Sequence, residues 1–262
     1  MKKIFENILI LTDFDGTFAA DGTVLVPENL KAVKHFTELG GLFTFSTGRL
    51  PSVLSGLFPE YQSYANAPIV MANGAIIIDP NSNKVIKEHF FDGDFGKELS
   101  NDVLRKFPEL AFVVYTEDGL MQKGKMPDDI TNGLWRKARF NGPDETVSSA
   151  REYIGNKYGN EISCFRSWYS LVEIISKNAD KGKAVRFLKE YYKKQGRDIK
   201  VLCIGDFEND VSMLKEADIS FCPSNAIDEV KAVSKYQTVS NNEGAVADMI
   251  EKIKTIFNLT EE

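Results

Sequence analysis

An unbroken aliphatic run, Ile8-Leu9-Ile10-Leu11, stops abruptly at Thr12-Asp13. A strand with no polar alternation has to be covered on both faces, and parallel sheets sandwiched between helices provide that cover. The segments that follow keep this pattern. Leu30, Val33, Phe36 and Leu39 recur at three-residue spacing, with Pro27 in front and Gly40-Gly41 behind, which predicts a helix over 27–39. Leu42 to Ser46 returns to strand, Ser52 to Phe58 is a short helix, and Ile69-Val70-Met71-Ala72 is a strand running into Asn73-Gly74. Strand and helix alternating in this way predict a parallel sheet with right-handed crossovers.

The pattern is interrupted and then resumes. From Asp79-Pro80-Asn81-Ser82-Asn83 onward the chain carries turn chemistry and aromatic-rich alternating runs, such as Ala111 to Tyr115 and Ser170 to Ile174, which read as antiparallel strands mixed with helices. After Asp180 come a helix over 181–194, a strand at Val201 to Ile204, a helix over 210–217, a short strand at Ile219 to Phe221 and a last helix over 245–257. The expected fold class is α/β: a doubly wound, Rossmann-like parallel-sheet core with an inserted α+β domain. The core takes 1–78 and 179–262 and the insertion 79–178, a size within the usual domain range.

Composition narrows the function. The 262 residues include 32 Lys and Arg against 38 Asp and Glu, a formal charge of −6, which argues against a general binder of nucleic acid or of membrane surfaces. Cys164, Cys203 and Cys222 are odd in number and widely spaced, so neither a disulfide framework nor a zinc ribbon is expected. No stretch approaches the roughly 20 apolar residues of a membrane span, and the apolar run after Lys2-Lys3 is too short for a signal-peptide core. The expectation is a cytoplasmic protein, monomer or homodimer.

In open parallel sheets the ligand crevice lies beyond the carboxyl ends of the strands. There the sequence places Asp13-Phe14-Asp15-Gly16-Thr17, Ser46-Thr47-Gly48-Arg49 and Gly205-Asp206-Phe207-Glu208-Asn209-Asp210, while Lys181 opens the helix before the last of these. Asp13, Asp15 and Asp206 gathered from two strand ends would repel one another unless a cation sat among them. Hard oxygen ligands, few in number, suit Mg2+ completed by waters and a substrate phosphate.

These strings resemble the four motifs of the haloacid dehalogenase superfamily of phosphohydrolases, in particular its Cof-like (type IIB) subfamily, whose large cap is inserted after the second motif. Asp13 to Thr17 matches the first motif, Thr47 the second, Lys181 the third and Gly205 to Asp210 the fourth, and Asn73-Gly74-Ala75 is similar to a signature common in the subfamily. The resemblance implies a Mg2+-dependent phosphatase acting on a small phosphorylated metabolite, a sugar phosphate in particular. Asp13 would be the nucleophile and form an aspartyl-phosphate; Asp15 would act as general acid and then base. Asp13, Asp15 and Asp206 would hold the metal, with Asn209 and Asp210 orienting ligands or waters behind them. Thr47 and Lys181 would steady the phosphoryl oxygens. Gly48, Arg49, Asn73, Lys181, Asn209 and, in the insertion, Glu173 are candidate substrate contacts. Trp135, Arg136, Arg139, Arg166 and Trp168 are weaker candidates, and His35 and His89 read as structural. The alternatives are phosphomutase-type phosphoryl transfer and a catalytically silent phosphosugar-binding regulator; a silent chain would lack Asp13, Asp15 or Lys181, and all three are present.

Overall fold

The computed structural model describes residues 3–117, 121–124 and 133–261. Strand β1 (Ile8–Thr12) is buried along its whole length, as its unbroken aliphatic sequence requires. A two-residue hairpin follows, β2 (Ala19–Ala20) with β3 (Val24–Leu25), then helix α1 (Pro27–Glu38), opened by a proline whose missing N–H costs nothing in the first turn. Strand β4 (Leu42–Phe45) pairs parallel to β1. After the short helices α2 (Pro51–Leu57) and α3 (Tyr61–Tyr64), β5 (Ile69–Met71) joins the end of β4 through a single parallel bridge between Ser46 and Val70.

Here the structure departs from the simple alternation. Strand β5 turns back on itself to pair antiparallel with β6 (Ile76–Ile78), and β7 (Val85–Glu88) adds a third strand. The Asp79–Asn83 turn therefore closes a hairpin, with Asp79 Oδ1 accepting from the N–H groups of Asn81 and Ser82. The chain divides into one unit of 1–86 with 181–262 and a second of 87–180.

The second unit contains β8 (Phe91–Asp92), α4 (Gly93–Lys106), β9 (Ala111–Thr116), β10 (Met121–Gly124), β11 (Leu134–Asn141), α5 (Asp144–Tyr158), β12 (Ile162–Trp168) and β13 (Leu171–Ser176). Its antiparallel sheet runs in the order β10-β9-β11-β13-β12. Leu99, Val103, Val147, Ala150 and Ile154 from the two helices pack with Trp135, Phe140, Val172 and Ile174 from the strands. Asp102 staples α4 to α5 by accepting from Tyr153 at 2.6 Å, Lys157 at 2.7 Å and Tyr158 at 2.9 Å.

The first unit is completed by α6 (Lys181–Lys194), β14 (Lys200–Ile204), α7 (Val211–Glu216), β15 (Ile219–Cys222), α8 (Asp228–Val233), β16 (Tyr236–Gln237) and α9 (Ala245–Ile256). Its parallel sheet has the order β16-β15-β14-β1-β4, so the chain leaves β1 toward β4 and returns on the other side at β14. Strand β1 is thus where the strand order reverses, the place at which such sheets open a crevice. Leu9, Leu11, Val201 and Cys203 pack with Val185, Leu188, Met213 and Leu214. Phe14, Phe18, Phe43, Phe45 and Phe58 form a separate ring cluster, with Phe18 edge-on to Phe45 at 5.1 Å. Cys203 and Cys222 are buried and free. No helix among the described residues is long and apolar enough to cross a membrane.

Candidate active site

The site is built where β1 and β14 end side by side. The Asp13 N–H donates to the Ile204 carbonyl at 2.9 Å, which carries the parallel pairing one residue past β1 and sets Asp13 beside the loop after β14. That loop opens at Gly205, where a side chain is impossible: a Cβ would lie 2.4 Å from the Asp210 Cγ. The turn closes on itself, since Asp210 Oδ2 accepts from the N–H groups of Asp206 at 3.0 Å and Phe207 at 3.2 Å. Gly16 has φ +75°, and a Cβ there would lie 2.5 Å from Asp206 Oδ2, so the left-handed turn after Asp15 and the approach to Asp206 both require glycine. The next residue, Thr17, donates to Asp206 Oδ1 at 2.6 Å.

Lys181, fully buried at the start of α6, donates to Asp13 Oδ1 and to Asp210 Oδ1, each at 2.5 Å. A buried ammonium is tolerated only when paired, and here it has two carboxylates. Asp13, Asp206 and Asp210 bring one carboxylate oxygen each within 4.8 Å of one another. Burial raises the Asp13 carboxyl well above the usual range; Lys181 opposes this, while Asp210, Asp206 and Asp15 reinforce it. Burial and then the Asp210 carboxylate push Asp206 up to about 7, against the Thr17 hydroxyl and Lys181. Three acids share one base, so the cluster must take up either protons or a cation. Its donors are all oxygen, which fits a hard divalent ion. Asp210 is the most committed of the three, with Oδ1 on Lys181 and Oδ2 on two backbone N–H groups, so Asp13 and Asp206 have more capacity left to hold a cation.

The Asp15 carboxylate is placed differently from the other two expected ligands. Arg49 grips both its oxygens, Nε to Oδ2 at 2.7 Å and Nη2 to Oδ1 at 2.5 Å. Thr47, fully buried, holds the loop after β4: its N–H donates to the Val70 carbonyl at 2.9 Å and its hydroxyl accepts from the Arg49 N–H at 3.1 Å. Gly48 lies against Asn73, where a Cβ would come 3.1 Å from the side-chain amide. Ala72 and Asn73 both have positive φ, 48° and 55°, a strained pair at the end of β5 of the kind that persists where surroundings impose it. Asn73 Oδ1 accepts from Asn209 Nδ2 at 3.0 Å, and the buried Asn209 Oδ1 has no hydrogen-bond partner among the described residues.

The structure therefore brings Asp13, Lys181, Asp206 and Asp210 together, joins Asp15 to Arg49, and joins Asn73 to Asn209. Thr17 had no role assigned from sequence, although it lies within the first motif. In the second unit Glu173 forms a buried ion pair with Lys137, Arg136 pairs with Glu88 at 3.2 Å, and Trp135 is core. Arg166 is held by Asp144, Ser148 and the Tyr169 carbonyl, and Trp168 is exposed. His35 lies on α1 beside Glu38 and Glu261; His89 lies in the second unit, between β7 and β8.

Comparisons with known proteins identify the family. The chain is similar to 5-amino-6-(5-phospho-D-ribitylamino)uracil phosphatase YwtE of Bacillus subtilis, 27% identical over 93% of this chain and 97% of that protein. It is also similar to the phosphoglycolate phosphatase of Thermoplasma volcanium, 27% identical over 87% and 90% of the two chains. The crystal structure of SMU.1108c from Streptococcus mutans shares the fold, with a TM-score of 0.80, 21% identity and coverage of 94% and 98%. The family model for haloacid dehalogenase-like hydrolases matches residues 10–142 and 127–250, so the chain belongs to that family, in its Cof-type branch.

Proposed function

We propose that this phosphatase hydrolyses a primary phosphate ester on a small polyhydroxylated metabolite, a sugar or ribityl phosphate, with Mg2+ and through an aspartyl-phosphate on Asp13. The observation that carries the reading is the buried cluster of three carboxylates around Lys181 at the switch point of the sheet. Mg2+ held by Asp13 and Asp206, together with the Asp15 backbone carbonyl, would neutralise the approaching phosphate and keep Asp13 ionised.

In the first step the Asp13 carboxylate attacks phosphorus, the bond to the ester oxygen breaks, and Asp15 gives that oxygen a proton. In the second, Asp15 takes a proton from water as the water oxygen attacks phosphorus; the bond to Asp13 breaks and inorganic phosphate leaves. Arg49 occupies both Asp15 oxygens here, so it has to give way before Asp15 can exchange protons. Lys181 spends two of its three N–H donors on Asp13 and Asp210, which leaves one for a phosphoryl oxygen. The Thr47 hydroxyl serves a second phosphoryl oxygen. The substrate class draws support from the named activities of the relatives, which act on a ribityl phosphate and on phosphoglycolate.

The test is phosphate release over a panel of sugar phosphates, 5-amino-6-(5-phospho-D-ribitylamino)uracil, phosphoglycolate and nucleotides, after chelation and re-addition of metal. Mg2+ should restore turnover, whereas Ca2+, with longer bonds and more ligands, should not. Undiminished turnover in the chelated protein would overturn the reading.

A further inference from the structure

The segment after the proposed nucleophile, from Gly16 to Asp21, holds only the two-residue strand β2 and the start of a 3-10 turn. Three of its carbonyls are nevertheless each taken by an asparagine from a different part of the chain. Asn225, just after β15, donates to the Gly16 carbonyl at 2.8 Å. Asn29, on α1, donates to that of Phe18 at 2.8 Å, and Asn241, before α9, to that of Ala19 at 3.3 Å. Asn225 and Asn29 are each anchored a second time outside the segment, and Asn241 grips the segment at two places. Asn225 Oδ1 accepts from the Asn241 N–H at 2.8 Å, Asn29 Oδ1 accepts from the Ala247 N–H at 2.9 Å, and Asn241 Nδ2 also reaches Asp21 Oδ1 at 3.2 Å. Asn29 and Asn241 are buried, and Asn225 is exposed.

A side chain bonded at two places transmits the rigidity of its own element to the loop it grips. The loop needs that restraint. Gly16 has no Cβ to narrow its backbone choices, and in a planar trans peptide the direction of the carbonyl also sets that of the N–H. A Gly16–Thr17 peptide free to rotate would let Thr17 leave Asp206 and let the neighbouring Asp15 wander.

We infer that Asn29, Asn225 and Asn241 are positioning residues, which clamp the backbone after Asp15 and so fix where its carboxyl stands relative to the leaving oxygen. The inference rests on the hydrolytic reading above. None of the three lies in the motifs that carry the chemistry, and none touches the cluster of acids. Their effect should therefore fall on the step that needs a well-placed acid. That step matters most when the leaving group is poor.

Asn225 allows the cleanest test, because truncating an exposed side chain leaves no buried hole. Asn225→Ala and Asn225→Asp should melt within about 2 °C of the parent, as surface substitutions do. Both should lose about tenfold more activity toward phenyl phosphate than toward p-nitrophenyl phosphate, with KM changed less than about twofold. Asn29→Ala and Asn241→Ala should show the same bias per folded molecule; if they do not fold, the Asn225 pair decides. Equal losses on the two esters, or none, would overturn the inference. Asp13→Asn serves as the control. If it stays active, the reaction reading fails; if it is dead while the Asn225 variants are unbiased, only the clamp fails.

Discussion

In the first unit, four buried charged groups stand at the ends of two strands and the start of α6: Asp13, Asp206, Asp210 and Lys181, three acids to one base. The second unit buries charge in the middle of a sheet, where Lys137 on β11 pairs diagonally with Glu173 on β13 and both side chains are almost wholly covered. The ion pair carries no net charge and can persist as it stands, provided its geometry is good. The cluster has more acids than bases, so it has to take up protons or a cation, and burial strengthens that demand. A buried imbalance of acids and bases calls for a proton or a ligand, whereas a buried charge match is a feature of the fold.

Substitutions at four places bear on that contrast. The largest effect is expected in the cluster: Asp13→Asn should lower turnover by about 10⁴-fold or more while the protein still folds, read by steady-state phosphate release and by mass measurement of the trapped acyl-phosphate. Asp15→Asn should instead accumulate the intermediate from an activated ester. Next comes the ion pair. Lys137→Met or Glu173→Leu alone should cost up to about 3–5 kcal/mol in urea unfolding, because each breaks the buried ion pair, and the double variant should recover most of that. Additive losses in the double variant would show that the pair is not matched in this way.

Gly16→Ala is expected to cost about 2 kcal/mol, combining a left-handed backbone that alanine dislikes with a Cβ driven against Asp206. Activity should fall with it, since the displaced carboxylate belongs to the cluster. The smallest effect lies between the helices of the second unit. Burial pushes the Asp102 carboxyl up, but hydrogen bonds from Lys157, Tyr153 and Tyr158 outweigh it and hold the group at about 2, below its ordinary 3.8. A depressed carboxyl stabilises the fold above its unfolded pKa, and that stability drains away as pH falls from about 4 to 2. After allowance for solvent screening, Asp102→Asn should cost about 1 kcal/mol at neutral pH. The difference from the parent should close by about pH 2; a gap that stayed constant with pH would place the effect in packing.

Much of the first unit could be read in the sequence because its signals are local. Ile8 to Leu11 requires a doubly covered strand wherever it occurs, helix α1 carries its own start, stop and apolar stripe, and residues that follow a parallel strand lie at the ligand edge whatever the partner strands are. Asp13, Thr47 and Asp206 could therefore be placed at that edge, whereas the role of Lys181, which opens a helix, comes only from resemblance to the family's third motif. The second unit gave only its antiparallel character, since alternating runs such as Ala111 to Tyr115 say which side of a strand is buried and not what covers it.

The sequence by itself determined most of the strands and helices of the first unit and which chemical groups stand at their strand ends. Tertiary structure alone decided their pairings: Lys181 with Asp13 across 168 positions, Thr17 with Asp206 across 189, Arg49 on Asp15, Lys137 on Glu173, and the asparagines that grip the loop after Gly16. The reason is physical. Backbone periodicity is a property of neighbours along the chain, whereas a hydrogen bond or ion pair depends on distance and direction to within a few tenths of an ångström, and those are set only when separate elements pack against one another.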